Sequence, residues 1–218
     1  MDKKPPFEVD GTTLIRYRGR ATHVKDVPPE IKTIGKGAFA CNKTIKSIVL
    51  PKKLNSIDFM SFYGCPNLKS RELPVAVHTI DMMAFTGCTS LESISLSNYL
   101  WSIGDCAFEN CVSLKSIEFS SILIRYISVH AFRGCTNLES VFLPENLKEI
   151  KLGAFQNCTN LKSIKIPPKT DYIAPNAFSG CVELEEVEIP EETLKEIYIC
   201  EGAFEGCSKL KNKYWIEK

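Results

Sequence analysis

The sequence predicts an α/β repeat solenoid, a stack of coils that each contribute one short strand and one helical turn. Three observations predict it. A phenylalanine recurs at 39, 62, 85, 108, 132, 155, 178 and 204, stepping by 23 or 24 residues and finally by 26. Around each lies the same phrase, I-x-x-x-A-F-x-G/N-C-x-x-L-x-x-I-x-L-P, as in IGDCAFENCVSLKSIEFS from Ile103. A unit of about 23 residues with one strand and one turn cannot bury its own apolar face, so neighbours must stack.

Each half of the unit has a local reason. Segments such as SIVLP and SIKIP alternate apolar and polar residues, which is the period of a strand with one buried face. The proline that follows has no N–H for a ladder and marks the exit. The I-x-x-x-A-F half sets Ile, Ala and Phe at i, i+4 and i+5, and predicts one helical turn with an inward face. Gly64, Gly87, Asn110, Gly134, Asn157, Gly180 and Gly206 stand where a left-handed residue would end that turn. The link to the next unit carries an apolar residue such as Leu54, Leu100 or Leu147.

Composition narrows the function. The chain is 218 residues, 44% hydrophobic, with net charge +1. Near-neutral charge gives no reason to expect nucleic acid as partner. No apolar run approaches the ~18 residues of a membrane-spanning helix, so membrane insertion is not expected. The opening MDKKPPFEVD lacks the apolar core of a signal peptide, which leaves an intracellular protein or one whose leader has been removed.

The ten cysteines resolve into a pattern. Cys65, Cys88, Cys111, Cys135, Cys158, Cys181 and Cys207 share one column, with Asn42 in that place in the first unit. Cys and Asn interchange there because each fills a small pocket and bonds to backbone. The column therefore reads as buried, reduced thiols, with a disulfide or a metal as the alternatives. No second close ligand pair supports zinc. Cys41, Cys106 and Cys200 lie outside the column. Cys106 and Cys200, in variable turn positions, are expected to react before the column does.

Nothing in the sequence assembles a catalytic centre. His23, His78 and His130 have no nucleophile at a motif spacing, and no phosphate loop or HExxH is present. Glu118 and Glu188, three rungs apart, would be separated by ~14 Å, too far for paired carboxylate chemistry. No catalytic residue, cofactor or metal is expected.

The L-x-x-I-x-L half carries a family resemblance. With the AFxxC phrase in six units and one-residue variants of it in the first two (AFACN and SFYGC), the chain resembles the BspA-like, Treponema pallidum-type leucine-rich repeat proteins of bacteria and protists. Residues 34–218 read as eight repeats. Residues 1–33 read as the cap of the same domain, with DGTTLIRYRG as a hairpin and VPPEIKTIG as a degenerate repeat. The resemblance implies a horseshoe with a parallel sheet on its concave face and helical turns and links on the convex side. It also implies ligand binding without catalysis, often at a cell surface. The expected function is a protein-interaction or adhesion module whose partner is a host or cell-envelope protein. The alternative is an intracellular scaffold or effector, favoured by the absent signal and the thiol-rich interior.

Within that frame two outward columns follow from the strand period: Ser47, Ser70, Ser93, Ser116, Ser140, Ser163 and Glu186, then Val49, Glu72, Ser95, Glu118, Phe142, Lys165 and Glu188. The second varies while its framework does not, and Phe142 between Glu118 and Lys165 has the character of an interface anchor. The candidate partner-binding residues are therefore Glu72, Ser95, Glu118, Phe142, Lys165 and Glu188. A second candidate patch is the link edge, where Trp101, Arg125 and Tyr126 are expected to come close in successive units. The residue after the first leucine of each strand half runs Lys46, Lys69, Glu92, Lys115, Glu139, Lys162, Glu185, Lys211, alternating in sign from Lys69 onward. A slip of one rung would set like charges together, so the alternation favours the correct register.

Overall fold

The structure, a computed structural model, describes residues 5–69 and 72–211. It is a parallel solenoid of stacked coils. The strand half forms one wall: Ser47–Ile48, Ser116–Glu118, Ser140–Phe142, Ser163–Lys165 and Glu186–Glu188. Parallel bridges from Glu72 to Ser95 and from Ser93 to Ser116 continue it. Ser70 of the expected serine column lies outside the described residues, as does the end of the last repeat beyond Lys211.

A second parallel wall runs through the links, where the sequence shows only an apolar residue. Each link contributes a two-residue strand ending in isoleucine. Thr33–Ile34, Ser56–Ile57, Thr79–Ile80 and Ser102–Ile103 pair in order, and so do Tyr126–Ile127, Glu149–Ile150, Tyr172–Ile173 and Tyr198–Ile199. An antiparallel hairpin of Phe7–Asp10 and Thr13–Tyr17 edges the first set, with Leu14 in register with Ile34. Between Ile103 and Ile127 no pairing forms. The unit there is one residue longer, and Ser128 Oγ donates to Ile103 O where other rungs use a backbone N–H, as Gly104 N does to Ile80 O at 2.8 Å.

The expected helical turn is not formed. Around each phenylalanine the chain makes tight turns whose N–H groups alternate between their own coil and the next. In the Cys106 unit, Ala107 N, Glu109 N and Cys111 N donate three residues back, while Cys106 N, Phe108 N and Asn110 N donate to Val129 O, Ala131 O and Arg133 O of the following coil. The cause is a pair of left-handed residues flanking every phenylalanine. The one after it is the expected Gly or Asn column, with Cys41 (φ 58°) in the first unit. The one before it is Gly37, Met60, Met83, Cys106, His130, Gly153, Asn176 and Gly202. A helix requires consecutive right-handed residues, so a left-handed one every four positions forbids it and turns alternate amides outward. Among the described residues the one helix is a single turn, Glu191–Leu194, in the link of the 26-residue unit.

These turns stack the interior. Phe39 through Phe204 form one column with ring centroids 5.0–5.4 Å apart and planes within 2–10°. Tyr17 of the hairpin extends the column at 5.2 Å from Phe39. Beside it, each column thiol donates to the carbonyl of the preceding coil's phenylalanine, from Cys65 to Phe39 O at 3.1 Å through Cys207 to Phe178 O at 3.2 Å. Asn42 instead turns inward on its own coil, accepting from Thr44 N and Ile45 N at 2.9 Å.

Candidate functional site

The strand wall carries its outward columns in register. Ser140 lies opposite Ser116 and Phe142 opposite Glu118, while Ser163 meets Glu186 and Lys165 meets Glu188. With the Glu72–Ser95 bridge, the structure brings together all six residues of the candidate strand column. All are exposed, and Phe142 leaves 61% of its surface open to solvent. The buried partners below them, Ile94, Ile117, Val141, Ile164 and Val187, fix the height of each rung.

Shallow grooves follow this wall. One at its N-terminal end is lined by Val49, Leu50, Lys52, Lys69 and Glu72. Another, at its C-terminal end, is lined by Phe142, Leu143, Lys165 and prolines of the exit turns. Smaller ones lie around Ser95 and Glu118 and around Glu72 and Tyr99.

The link-edge residues are placed differently. Trp101 is 58% exposed with its ring 5.3 Å from that of His78. Tyr126 is 47% exposed and lies under the Lys151 ammonium, 4.8 Å from the ring centre. Arg125 reaches the Asn146 carbonyl at 3.5 Å. The three do not form one ladder, because the pairing lapses between Ile103 and Ile127: Tyr126 lies in a strand of the second set, while Trp101 precedes the Ser102–Ile103 strand of the first. The sequence reading also passed over Tyr172 and Tyr198, which stack at 5.9 Å in the Tyr126 column. Their signal is the residue before each link isoleucine.

Charge and thiol chemistry follow from placement. In the alternating column Lys69 pairs with Glu92 at 3.5 Å, and Lys211 with Glu185. The Lys211 ammonium, by hydrogen bond and then by charge, holds the Glu185 carboxyl below its usual range. Burial pushes the column thiols up, Cys65 and Cys135 to about 12 and Cys88, Cys111, Cys158 and Cys181 upward as well. Cys106 is raised to about 11, first by burial and then by Glu109 and Asp105, which opposes the expectation that it reacts early. Cys200 donates to the Tyr172 hydroxyl at 3.2 Å, and the exposed cysteine is Cys41.

One pair escaped the sequence reading. His23 Nδ1 lies 2.7 Å from Ser47 Oγ across two coils. Both belong to the wall's open surface, and among the described residues no carboxylate binds the other ring nitrogen, so the orienting third group of a nucleophilic triad is missing. Among the described residues no group of three or more His, Cys, Asp or Glu side chains is placed to hold a metal, and no helix is long and apolar enough to cross a membrane.

Comparison with known proteins agrees with this architecture. The model for the BspA type leucine-rich repeat region matches residues 21–125 and 125–217 in six copies. A leucine-rich repeat protein from Bacteroides ovatus is similar with a TM-score of 0.74 at 29% identity, over 88% of this chain and 51% of that one. The T. pallidum leucine-rich repeat protein gives 0.76 at 27% identity, over 84% and 91%. One from Eubacterium ventriosum, at 24% identity, shares the fold with a TM-score of 0.67 over 83% and 47%. The chain thus spans about half the length of the B. ovatus protein. A search of curated proteins finds no match. Repeats of this kind are interaction modules and typically non-enzymatic. The chain belongs to the BspA-type leucine-rich repeat family.

Proposed function

We propose that the chain is a non-enzymatic adhesion or recognition module that holds a protein partner along the outward column Glu72, Ser95, Glu118, Phe142, Lys165 and Glu188. The observation that supports this reading is the in-register exposure of varied side chains on an invariant buried framework. Adjacent rungs set these groups ~4.8 Å apart, so one ligand can touch several at once. We take this wall as the concave face, residues 1–33 as its cap and residues 34–218 as eight repeats. The family resemblance favours a bacterial cell surface or envelope and a host or envelope protein as partner.

The second reading sets the partner on the link edge. The exposure of Trp101 and Tyr126 favours it. Capture of partners from host and envelope fractions separates the two. Phe142→Ala with Glu118→Lys should weaken binding by ~2 kcal/mol or more, about 30-fold, with the fold intact. Loss on Trp101→Ala with that pair retained would move the partner to the link edge.

A further inference from the structure

The C-terminal groove of the strand wall has a chemistry that the column alone does not specify. It holds ≈ 400 Å³, within the range of ligand clefts. Phe142, Leu143, Pro168 and Pro190 give it apolar walls, and Glu145, Glu192 and Lys165 are its charged groups. Phe142 is open to solvent beside them.

The prolines offer an occupant little backbone recognition. They carry no N–H, and their carbonyls already accept from within the exit turns: Pro167 O from Thr170 N at 3.1 Å, Pro168 O from Thr193 Oγ1 at 3.0 Å, and Pro190 O from Leu194 N at 2.9 Å. Polar recognition there therefore falls to the charged side chains. Glu145 and Glu192 line the groove, and Glu186 and Glu188 stand exposed on the strand beside Lys165. Two carboxylates against one ammonium leave the lining a surplus of one negative charge, and the two strand glutamates add acceptors beside it, while Lys169 is occupied with Asn146 Oδ1 at 2.7 Å. None of the four is in an ion pair among the described residues.

We infer that this groove binds an arginine side chain of an extended protein segment, with the guanidinium over the Phe142 ring and its N–H fork directed to Glu145 and Glu192. Guanidinium satisfies each demand at once. It is planar and weakly hydrated, it lies flat on an aromatic face, and it offers five donors and no acceptor. A lysine ammonium matches the charge but not the flat apolar contact. An acidic segment meets repulsion from Glu145 and Glu192.

The inference rests on the reading of the strand wall as the binding face, and its test is kept separate from that reading. The probes are capped tetrapeptides Gly-Arg-Leu-Gly, Gly-Lys-Leu-Gly and Gly-Glu-Leu-Gly, titrated into the ¹⁵N-labelled full chain. The arginine probe should shift the amides of Phe142, Leu143, Glu145 and Lys165, with the lysine probe about 3-fold weaker and the glutamate probe at least about 10-fold weaker. Glu145→Gln with Glu192→Gln should weaken the arginine probe about 5-fold or more at unchanged Tm. Equal binding of the three probes, or no shift at those amides with millimolar arginine probe, overturns the inference. If the probes fail while Phe142→Ala with Glu118→Lys still abolishes capture of a partner, the face reading stands without it. If the arginine probe binds as expected while that pair leaves capture unchanged, the groove chemistry stands and the face reading falls.

Discussion

Phe142 lies opposite Glu118 across one parallel rung, with Val141 and Ile117 paired and buried one position earlier and Ser140 facing Ser116 on the same strands. The neighbouring buried pair holds the rung, so the exposed ring contributes little to it. Phe142→Ala should therefore leave the urea midpoint within about 0.5 kcal/mol of wild type, which makes the variant a clean probe of binding. A larger loss would mean that the ring packs as part of the core.

Ser61 takes the place that alanine holds in the other units, is fully buried, and its hydroxyl has no hydrogen-bond partner among the described residues. An unsatisfied buried hydroxyl costs about 1–3 kcal/mol. Ser61→Ala should raise stability by about 1 kcal/mol in denaturant melts, with an unchanged m-value. A destabilised variant would show that the hydroxyl is satisfied.

Among the thiols, Cys41 should be the first to react with a thiol reagent in the native protein, since it is exposed while the column is buried. Raised folded values also make stability depend on pH. Above the ordinary thiol value of 9.0 the unfolded chain loses protons that the folded column keeps, so stability is full below about pH 9 and falls as pH rises toward 12. The slope is at most ~1.4 kcal/mol per pH unit for each such thiol. Equilibrium melts from pH 7 to 11 measure it, and a flat profile would place the column in contact with solvent.

In the alternating charge column, Glu139→Lys should cost ~0.2–1 kcal/mol, because it sets a third cation between Lys115 and Lys162. The backbone N–H of Glu139 bonds to Lys115 O at 2.8 Å, which fixes that neighbour. Glu185→Lys should cost more, since it also breaks the pair with Lys211. Both losses should shrink in molar salt. Equal losses at low and high salt would remove the electrostatic account.

At the interruption of the link wall, Ser128→Ala removes the hydroxyl that bonds to Ile103 O. Amide exchange should then quicken for Lys151 and neighbours of this rung more than for coils at either end. Uniform exchange across the chain would show that the strand wall alone couples the two sheets.

Much of this architecture is legible in the residues. The Phe and Cys columns give the coil length and the interior, and the alternation of SIEF or SIKI gives the strand wall with its exposed column. The sequence hides the turns because their first left-handed position is filled in several units by Met60, Met83 and Cys106, residues that seldom adopt φ near 55°. Gly37, Gly153, Asn176 and Gly202 in that column carried the signal, but it was split among residue types. The link wall escaped because a two-residue strand is too short for any periodicity. The His23–Ser47 contact escapes because His23 lies before the first recurring phrase, where spacing within a unit says nothing.

The stacked phenylalanine column has a mechanical consequence. Along the column each ring stacks on the rings above and below, and each of these thiol bonds reaches one coil back, so a force applied between the chain ends meets the coils in series. Peeling one coil frees about 23 residues, roughly 80 Å of contour at ~3.5 Å per residue. Stretched between two fixed points, the molecule would therefore lengthen as a row of equal extensions, each re-forming on its neighbour when the load drops, rather than failing in a single rupture.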